Sequence, residues 1–452
     1  MTFASAPHAA RSTGPQYVEP AGSGALFLVT GHGYGHGVGM GQWGAQGYAQ
    51  QGYGYDAILD AYYPGTALGQ TATTQIHVLL ASGKKKLTIS SAKQIAVEDG
   101  DGIDHTLPAG STTLTPALKL AVDGAPAQAL DPPLTFSPTG GSKLKLGRTY
   151  RGRIVVDVPN KKLRAINVLG LQQYLYGVVT AEMPASWLPA ALEAQAVAAR
   201  SYALASKQAG SPYDVSAAGQ AYLGFSAETP AGKQAVDATV GQVLLYDGDV
   251  ALTLFSSSTG GRTQSAADAY GPPGRPYLVS VADPYDTISP YHDWGPVPVT
   301  GKALGSAVGV VGRVVDATVK RNASRRVKTL RVTSLSGGTE LTAGAGGPTV
   351  AGALGLRSTW FSVGVLSLQP PSPNPAVAAG TKVTLSAVVR GVKNAVVERS
   401  AAGAPWTQFR AITTTGAFQF SVKPRVTTLY RLATQNDAAA PVRIRVQGAT
   451  VK

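Results

Sequence analysis

Residues 177–210 read Gly177-Val178-Val179-Thr180-Ala181-Glu182-Met183-Pro184-Ala185-Ser186-Trp187-Leu188-Pro189-Ala190-Ala191-Leu192-Glu193-Ala194-Gln195-Ala196-Val197-Ala198-Ala199-Arg200-Ser201-Tyr202-Ala203-Leu204-Ala205-Ser206-Lys207-Gln208-Ala209-Gly210. Within this stretch Leu188, Leu192, Ala196, Ala199 and Ala203 recur at helical spacing, with Glu193, Arg200 and Lys207 on another face, so residues 187–208 are expected to form a helix. Pro189 suits its first turn and Gly210 its C-terminal cap. The many alanines allow close approach of neighbours, which places this helix in the core. Upstream, an apolar run, one carboxylate at Glu182 and the stop at Pro184 read as a strand-to-helix junction in partly apolar surroundings. Desolvation there raises a carboxyl pKa and suits a general acid that later serves as base. A Glu that merely complements the dipole of the following helix is the competing reading.

Around this centre the chain is β-rich. Residues 74–165 alternate apolar stretches such as Ile76–Leu80 and Ile154–Val158 with Gly/Lys/Asp turns, and further short strands are expected from 210 to about Val363. Lys84, Lys85, Lys86, Lys143, Lys145, Arg148, Arg151, Arg153, Lys161, Lys162 and Arg164 crowd the first of these regions, as a solvated face or as a track for an anionic polymer. Upstream again, Ala25–Thr30 reads as a strand entering the loop Gly31-His32-Gly33-Tyr34-Gly35-His36-Gly37-Val38-Gly39. Two short helices follow, the second marked by Ile58, Leu59, Tyr62 and Tyr63 and ended by Pro64-Gly65. After four prolines within 370–375, Val383/Leu385/Ala387/Val389, Phe418/Phe420/Val422 and Val442/Ile444/Val446 alternate with period two, the pattern of a small immunoglobulin-like β-sandwich. The fold class expected is α+β, with a C-terminal all-β part. The expected boundaries are a disordered lead or remnant of an export signal at 1–23, one domain over 24–365 (24–70, 74–165 and 166–363), a linker at 366–375 and the sandwich at 376–452.

Composition narrows the function. The 452 residues hold 54 glycines and 30 prolines, 44% hydrophobic and 14% charged residues, which favours turns and short strands and excludes a coiled coil. The net charge of +14 attracts polyanions: nucleic acid, anionic lipid, or wall polymers bearing carboxylate and phosphate. No helix-turn-helix, zinc-finger or RNA-recognition signature supports nucleic acid. With no cysteine there are no disulfides, thiolate catalysis or Cys-ligated zinc. No apolar run reaches the roughly 18 residues of a membrane helix. Met1–Gly14 lacks the basic start and apolar stretch of an export signal, while Ala4-Ser5-Ala6 and Ala9-Ala10 look like its small-residue end, so the signal is read as absent or truncated in this numbering.

Three further groups invite a chemical reading. His32 and His36 stand four apart, but the glycines around them forbid the helix that would make them a zinc pair. The loop also lacks the Lys-Ser/Thr ending of a phosphate cradle, which leaves either a cleft wall presenting Tyr34, His36, Gln42 and Trp43 or a tight packed turn. Ser256, Ser257, Ser258 and Thr259 before Gly260-Gly261 are suited to sugar binding or to an ordinary strand exit. Tyr277, Tyr285, Tyr291, His292 and Trp294 offer stacking faces, or core packing. No Ser/His/Asp triad can be assembled by spacing.

The segments Gly35-His36-Gly37-Val38-Gly39-Met40-Gly41-Gln42-Trp43-Gly44-Ala45 and Tyr62-Tyr63-Pro64-Gly65-Thr66 resemble the GHGVGMSQ-GA and YYPGT signatures of SpoIID/LytB proteins. So do Tyr174–Glu182-Met183-Pro184 through Ala194–Ala203, the Ser/Thr-Gly260-Gly261 segment, Tyr277-Leu278 and Leu354–Phe361. The resemblance implies a secreted or cell-wall-associated protein acting on peptidoglycan, in wall remodelling or sporulation. Its sporulation member is a lytic transglycosylase of glycan strands that lack stem peptides, while other members are enhancers of a wall amidase. It implies Glu182 as the catalytic residue and no cofactor. Substrate contacts are expected from His36, Gln42, Gln195, Arg200, Tyr202, Ser257, Ser258, Thr259, Gly260 and Gly261, with Gln195 and Arg200 open to a structural role. Two departures stand out. The GHGVG segment here precedes the LGLRSTWF-like stretch that it follows in the family, which reads as a circular permutation and requires Leu28 or its neighbours to lie near Phe361–Val363. Ser256 stands where a histidine is often found in relatives with a zinc site, so zinc is not expected.

Overall fold

The computed structural model describes residues 24–342 and 350–448; the expectation for 1–23 lies outside them. The fold is mixed α+β, and the chain divides into two compact units. One comprises Gly39–Phe255 with Pro276–Leu278; the other takes the described residues up to Val38, Ser256–Arg275 and those from Val279 onward. This division does not follow the expected boundaries, because the GHGVG loop is shared out between the units at Val38 and Gly39.

The first unit carries a seven-stranded sheet in the order Val215–Ser216, Gln75–Lys84, Leu163–Gly170, Arg153–Asp157, Leu134–Pro138, Ile95–Glu98 and Asp104–Leu107. All neighbours are antiparallel except the first pair. Alternation in the sequence becomes alternation in burial: Ile76, Val78, Ile154 and Val156 are inside while their neighbours face outward. Asn167 is a fully buried polar residue in the third of these strands, Leu163–Gly170. It is satisfied on both sides, donating to the carbonyls of Arg151 (2.9 Å) and Arg153 (3.0 Å) and accepting from the Tyr222 hydroxyl at 2.8 Å.

The long helix spans Pro189–Ala205 and is surrounded by the helices Gln42–Gln50, Tyr55–Tyr62 and Pro230–Ala238 and the strand Gln242–Tyr246. Its alanines let these neighbours in, so burial extends almost around its circumference instead of along one stripe. It ends earlier than Gly210 because the Ser206 hydroxyl turns back to the Tyr202 carbonyl at 2.6 Å, and Gly210 lies in the loop beyond. The strand expected before Pro184 is instead two short helices, Leu171–Tyr176 and Val179–Glu182. Leu171, Tyr174, Leu175, Val178 and Val179 are all buried, a helical spacing that outweighs the β preference of two valines and a threonine.

In the second unit a five-stranded sheet runs in the order Asp293–Thr300, Leu26–His32, Phe361–Gln369, Val383–Arg390 and Gly416–Val422. Leu26–His32 pairs with Phe361–Gln369 in the register Leu28↔Gly364, Val29↔Val363 and Gly31↔Phe361. The proximity required by the permuted motif order is therefore made by main-chain pairing. A four-stranded sheet, Thr407–Ala411, Val396–Ala401, Thr428–Ala433 and Val442–Ile444, shares a core with it: Leu28, Leu366, Leu385, Val389, Val397, Leu432 and Ile444 lie in one apolar cluster. The expected linker is not free chain. Leu366–Gln369 are strand, and beyond the prolines Asn374 donates to the Arg443 carbonyl at 3.0 Å while Val377 donates to that of Arg445 at 3.0 Å. Helices Ala266–Tyr270 and Gly301–Val308 also appear here, as Pro230–Ala238 does in the first unit, where only strands were expected.

Candidate functional site

Glu182 is the last residue of its short helix, and its partly buried carboxylate takes two hydrogen bonds. The Ala221 N–H donates to Oε1 at 2.7 Å and the Gln42 amide to Oε2 at 3.3 Å. Burial pushes this carboxyl above the usual glutamate range, and the two donors pull it only partly back. Its partners come from Ala221 and Gln42, not from the first turn of the Pro189–Ala205 helix, so capping of that helix is not what holds it.

Gln42 opens the helix Gln42–Gln50, and its amide also reaches Gln195 Oε1 at 3.5 Å, while the buried Gln195 Nε2 has no partner among the described residues. One turn further, Gln46 accepts from the Leu188 N–H at 3.0 Å, and the rings of Trp43 and Trp187 meet edge to face at 4.9 Å. These contacts fix the Gln42 helix against the segment joining Glu182 to the long helix. Across the site, three consecutive residues are pinned. The Tyr202 hydroxyl donates to the Gly219 carbonyl at 3.2 Å, the Tyr174 hydroxyl to Gln220 Oε1 at 2.6 Å, and the Ala221 N–H to Glu182. Burial holds the Tyr174 phenol well above its usual range, so it remains a neutral donor here.

Of the residues expected around Glu182, the structure brings Gln42 onto its carboxylate, Gln195 onto Gln42, and Tyr202 onto the loop that carries Ala221. Arg200 is placed differently. Its fully buried guanidinium donates to the Gln242 carbonyl at 2.8 Å, to Gln172 Oε1 at 3.0 Å and to the Val236 carbonyl at 3.4 Å, which makes it a packing residue. Desolvation lowers its pKa to about 10, still charged at neutrality. Ala221 was not legible in the sequence, because only its main chain acts.

His36 and Ser257–Gly261 belong to the second unit, where a buried carboxylate organises the Ser/Thr-Gly-Gly loop. Asp286 accepts from Ser258 Oγ at 2.8 Å, the Thr259 N–H at 2.9 Å and the Gly260 N–H at 3.0 Å, and faces His292 Nδ1 at 2.9 Å. Thr259 Oγ1 donates to Asp283 at 2.7 Å. Ser258 and Thr259 are fully buried with their hydroxyls committed, so they cannot contact a sugar as expected; Ser257 and Gly261 are partly exposed. His36 is partly exposed, and its Nδ1 accepts from the Val38 N–H at 3.0 Å, whereas His32 bonds Asp293 at 2.6 Å. Ser256 Oγ accepts from the Gly37 N–H at 3.1 Å. Gly33, Gly35, Gly37 and Gly39 all have φ between 70° and 102°, and a Cβ on Gly37 would stand 2.1 Å from the buried Arg326 guanidinium. Tyr277 and Trp294 are core residues. Among the described residues no group of three or more His, Cys, Asp or Glu is placed to hold a metal, and no helix is long and apolar enough to cross a membrane.

Residues 159–246, which include Glu182 and Ala221 but not Gln42, match the family model described as stage II sporulation protein, SpoIID. An uncharacterized protein of Brachyspira hyodysenteriae is 38% identical over 153 residues, covering 33% of this chain and 41% of that protein. The amidase enhancer of Bacillus subtilis is 39% identical over 112 residues, 25% of this chain and 15% of its own. Stage II sporulation protein D of Bacillus subtilis is 36% identical over 146 residues, 28% of this chain and 42% of its own. The segment that carries Glu182 is thus similar to SpoIID-family proteins. The matches span less than half the length of each of these relatives.

Proposed function

We propose that the protein is a peptidoglycan lytic transglycosylase that cleaves glycan strands, those lacking stem peptides above all, with Glu182 as the single acid/base. The observation that carries this reading is a carboxyl raised by desolvation and held, among the described residues, by two donors, the Ala221 N–H and the Gln42 amide. Protonated Glu182 gives its proton to the glycosidic oxygen between muramic acid and glucosamine as the C1–O bond breaks. The carboxylate then takes the proton of the muramyl 6-hydroxyl, whose oxygen closes on C1 to leave a 1,6-anhydro end. One carboxyl serves both steps, so no second acid is needed to activate water. Ala221 and Gln42 steady the anion between the two transfers.

On this reading the protein works at the cell wall, outside the cell, and its C-terminal strands form an immunoglobulin-like accessory part. The relative named amidase enhancer favours a second reading, in which the protein binds the wall and stimulates an amidase without cleaving glycan. Incubation with purified glycan strands, intact and amidase-stripped, followed by mass spectrometry, separates the two. Anhydro-muramyl ends are the expected product; reducing ends would make the protein a hydrolase, and no product with stimulation of a partner amidase would replace the first reading by the second.

A further inference from the structure

In the first unit the antiparallel register sets Lys84 directly opposite Leu163. The chain thus leaves one strand through Lys84-Lys85-Lys86 where it enters the next through Lys161-Lys162. All five lysines are exposed, and none forms an ion pair with a described residue. The two turns, residues 81–87 and 158–163, contain no acidic residue.

The same end of the sheet is segregated by charge. Asp157, on the strand beyond the lysines, stands opposite Arg164, two residues after Lys162, and the two neutralise each other through a two-pronged ion pair. The acids follow only on the further strands, at Asp131 before Leu134–Pro138 and at Glu98, Asp99 and Asp101 after Ile95–Glu98. Asp99 is itself engaged by His105 at 3.0 Å. With strands about 4.8 Å apart, the acids at Glu98–Asp101 lie roughly 15 Å from the lysine-bearing strands, beyond the Debye length of about 8 Å at physiological salt. The lysines therefore repel one another without compensation, a cost that binding of a closely charged anion removes.

We infer that Lys84, Lys85, Lys86, Lys161 and Lys162 form a docking surface for a linear, phosphate-bearing polyanion. An anionic membrane is the less suitable partner, because none of the large exposed apolar side chains belongs to either turn, and an interfacial anchor needs them beside its cations. An ammonium is a compact point charge that accepts any phosphate geometry, as a polymer of repeating charge requires.

The probe is long-chain inorganic polyphosphate, titrated against the intact chain at several salt concentrations. The test variant replaces all five lysines by glutamine. A control variant replaces Lys302, Lys328, Lys382, Lys393 and Lys423, five exposed lysines elsewhere, and so removes the same total charge. Expected is a loss of tenfold or more in affinity for the test variant at low salt. The slope of log K against log salt should become shallower by about 3, from roughly 0.7 released counterions per phosphate neutralised. The control should lose little, and circular dichroism should be unchanged in both. Equal losses in the two variants, or undiminished binding in the test variant, overturns the surface; so does tighter binding to vesicles containing anionic phospholipid than to polyphosphate.

Discussion

Two carboxylates, one in each unit, show how differently the same group is used. Asp286 is sealed from solvent and takes a hydroxyl, two main-chain N–H groups and an imidazole, so its oxygens are saturated and its loop is immobilised around it. Glu182 is only partly buried and has one N–H at 2.7 Å and one amide at 3.3 Å. A carboxylate with many donors is a rivet; one with few, in a desolvated place, is ready to exchange a proton. On the proposed function, the difference gives structure to the Ser/Thr-Gly-Gly loop and chemistry to the Glu182 site.

The sharpest test of this contrast is Glu182→Gln, which keeps size and one acceptor oxygen but removes the titratable proton. Anhydro-end formation should fall by about 10²–10⁴, the usual contribution of a positioned general acid/base, while binding to isolated cell walls persists. Stability should move the other way. A glutamate whose folded pKa is raised favours folding most when protonated, and that advantage is lost as pH rises from the ordinary glutamate value through the folded one. The variant should therefore gain on the parent in melting temperature as pH rises through that range. A variant that cleaves as before, or whose melting difference from the parent does not change with pH, removes Glu182 from the proposed role.

Asp286→Asn should do the opposite. It leaves one acceptor oxygen where two had received the Ser258 hydroxyl and the Thr259 and Gly260 N–H groups, all buried. A loss of about 3 kcal/mol in chemical denaturation is expected, from donors left without partners in a dry site. An Asp286→Asn protein as stable as the parent would erase the distinction between the two carboxylates.

A finer adjustment is Gln42→Ala. The Gln42 amide lowers the Glu182 pKa, so its removal should raise that pKa further and carry the falling limb of the pH–rate profile to higher pH. The rate itself should drop about tenfold, the size of one lost hydrogen bond to a charged group. An unmoved limb would mean that Gln42 does not hold the carboxylate in solution.

What could be read in advance follows from these same residues. Glu182 was visible because a lone acid in an apolar run before proline is unusual, and Gln42 because its glycine-rich neighbours carry a family signature. The alternating strands 383–389 and 418–422 announced themselves by their period. Hidden were the parts that act without a side-chain signal, the Ala221 N–H above all. Asp283 and Asp286 were hidden too, since acids are rarely buried and nothing in Asp283-Pro284-Tyr285-Asp286 marks the exception. The short helices before Glu182 were obscured by valines, although the spacing of Leu171, Tyr174, Leu175, Val178 and Val179 already held the period of a helix.

The smallest expected effect concerns a third set of carboxylates, in which the histidine is the centre. His105 is clamped at Nε2 by Asp99 and at Nδ1 by Asp123, each at 3.0 Å, tying the turn after Ile95–Glu98 to the loop beyond Lys119–Leu120. Hydrogen bonding to Asp99 and then Asp123 raises the His105 pKa, and the bond to His105 lowers that of Asp99. The raised histidine adds stability that is complete below its ordinary value of about 6.5 and fades as pH rises through its folded value. The lowered Asp99 adds stability that is complete above its ordinary value of about 3.9 and fades as pH falls through its folded one. Both contributions are whole only between about pH 4 and 6.5. His105→Gln should therefore lower the melting temperature most near pH 5, by a few degrees at most, and progressively less as pH rises above neutrality. A deficit that is the same at pH 5 and pH 9 would show that the imidazolium charge contributes nothing and that the clamp is held by neutral hydrogen bonds alone.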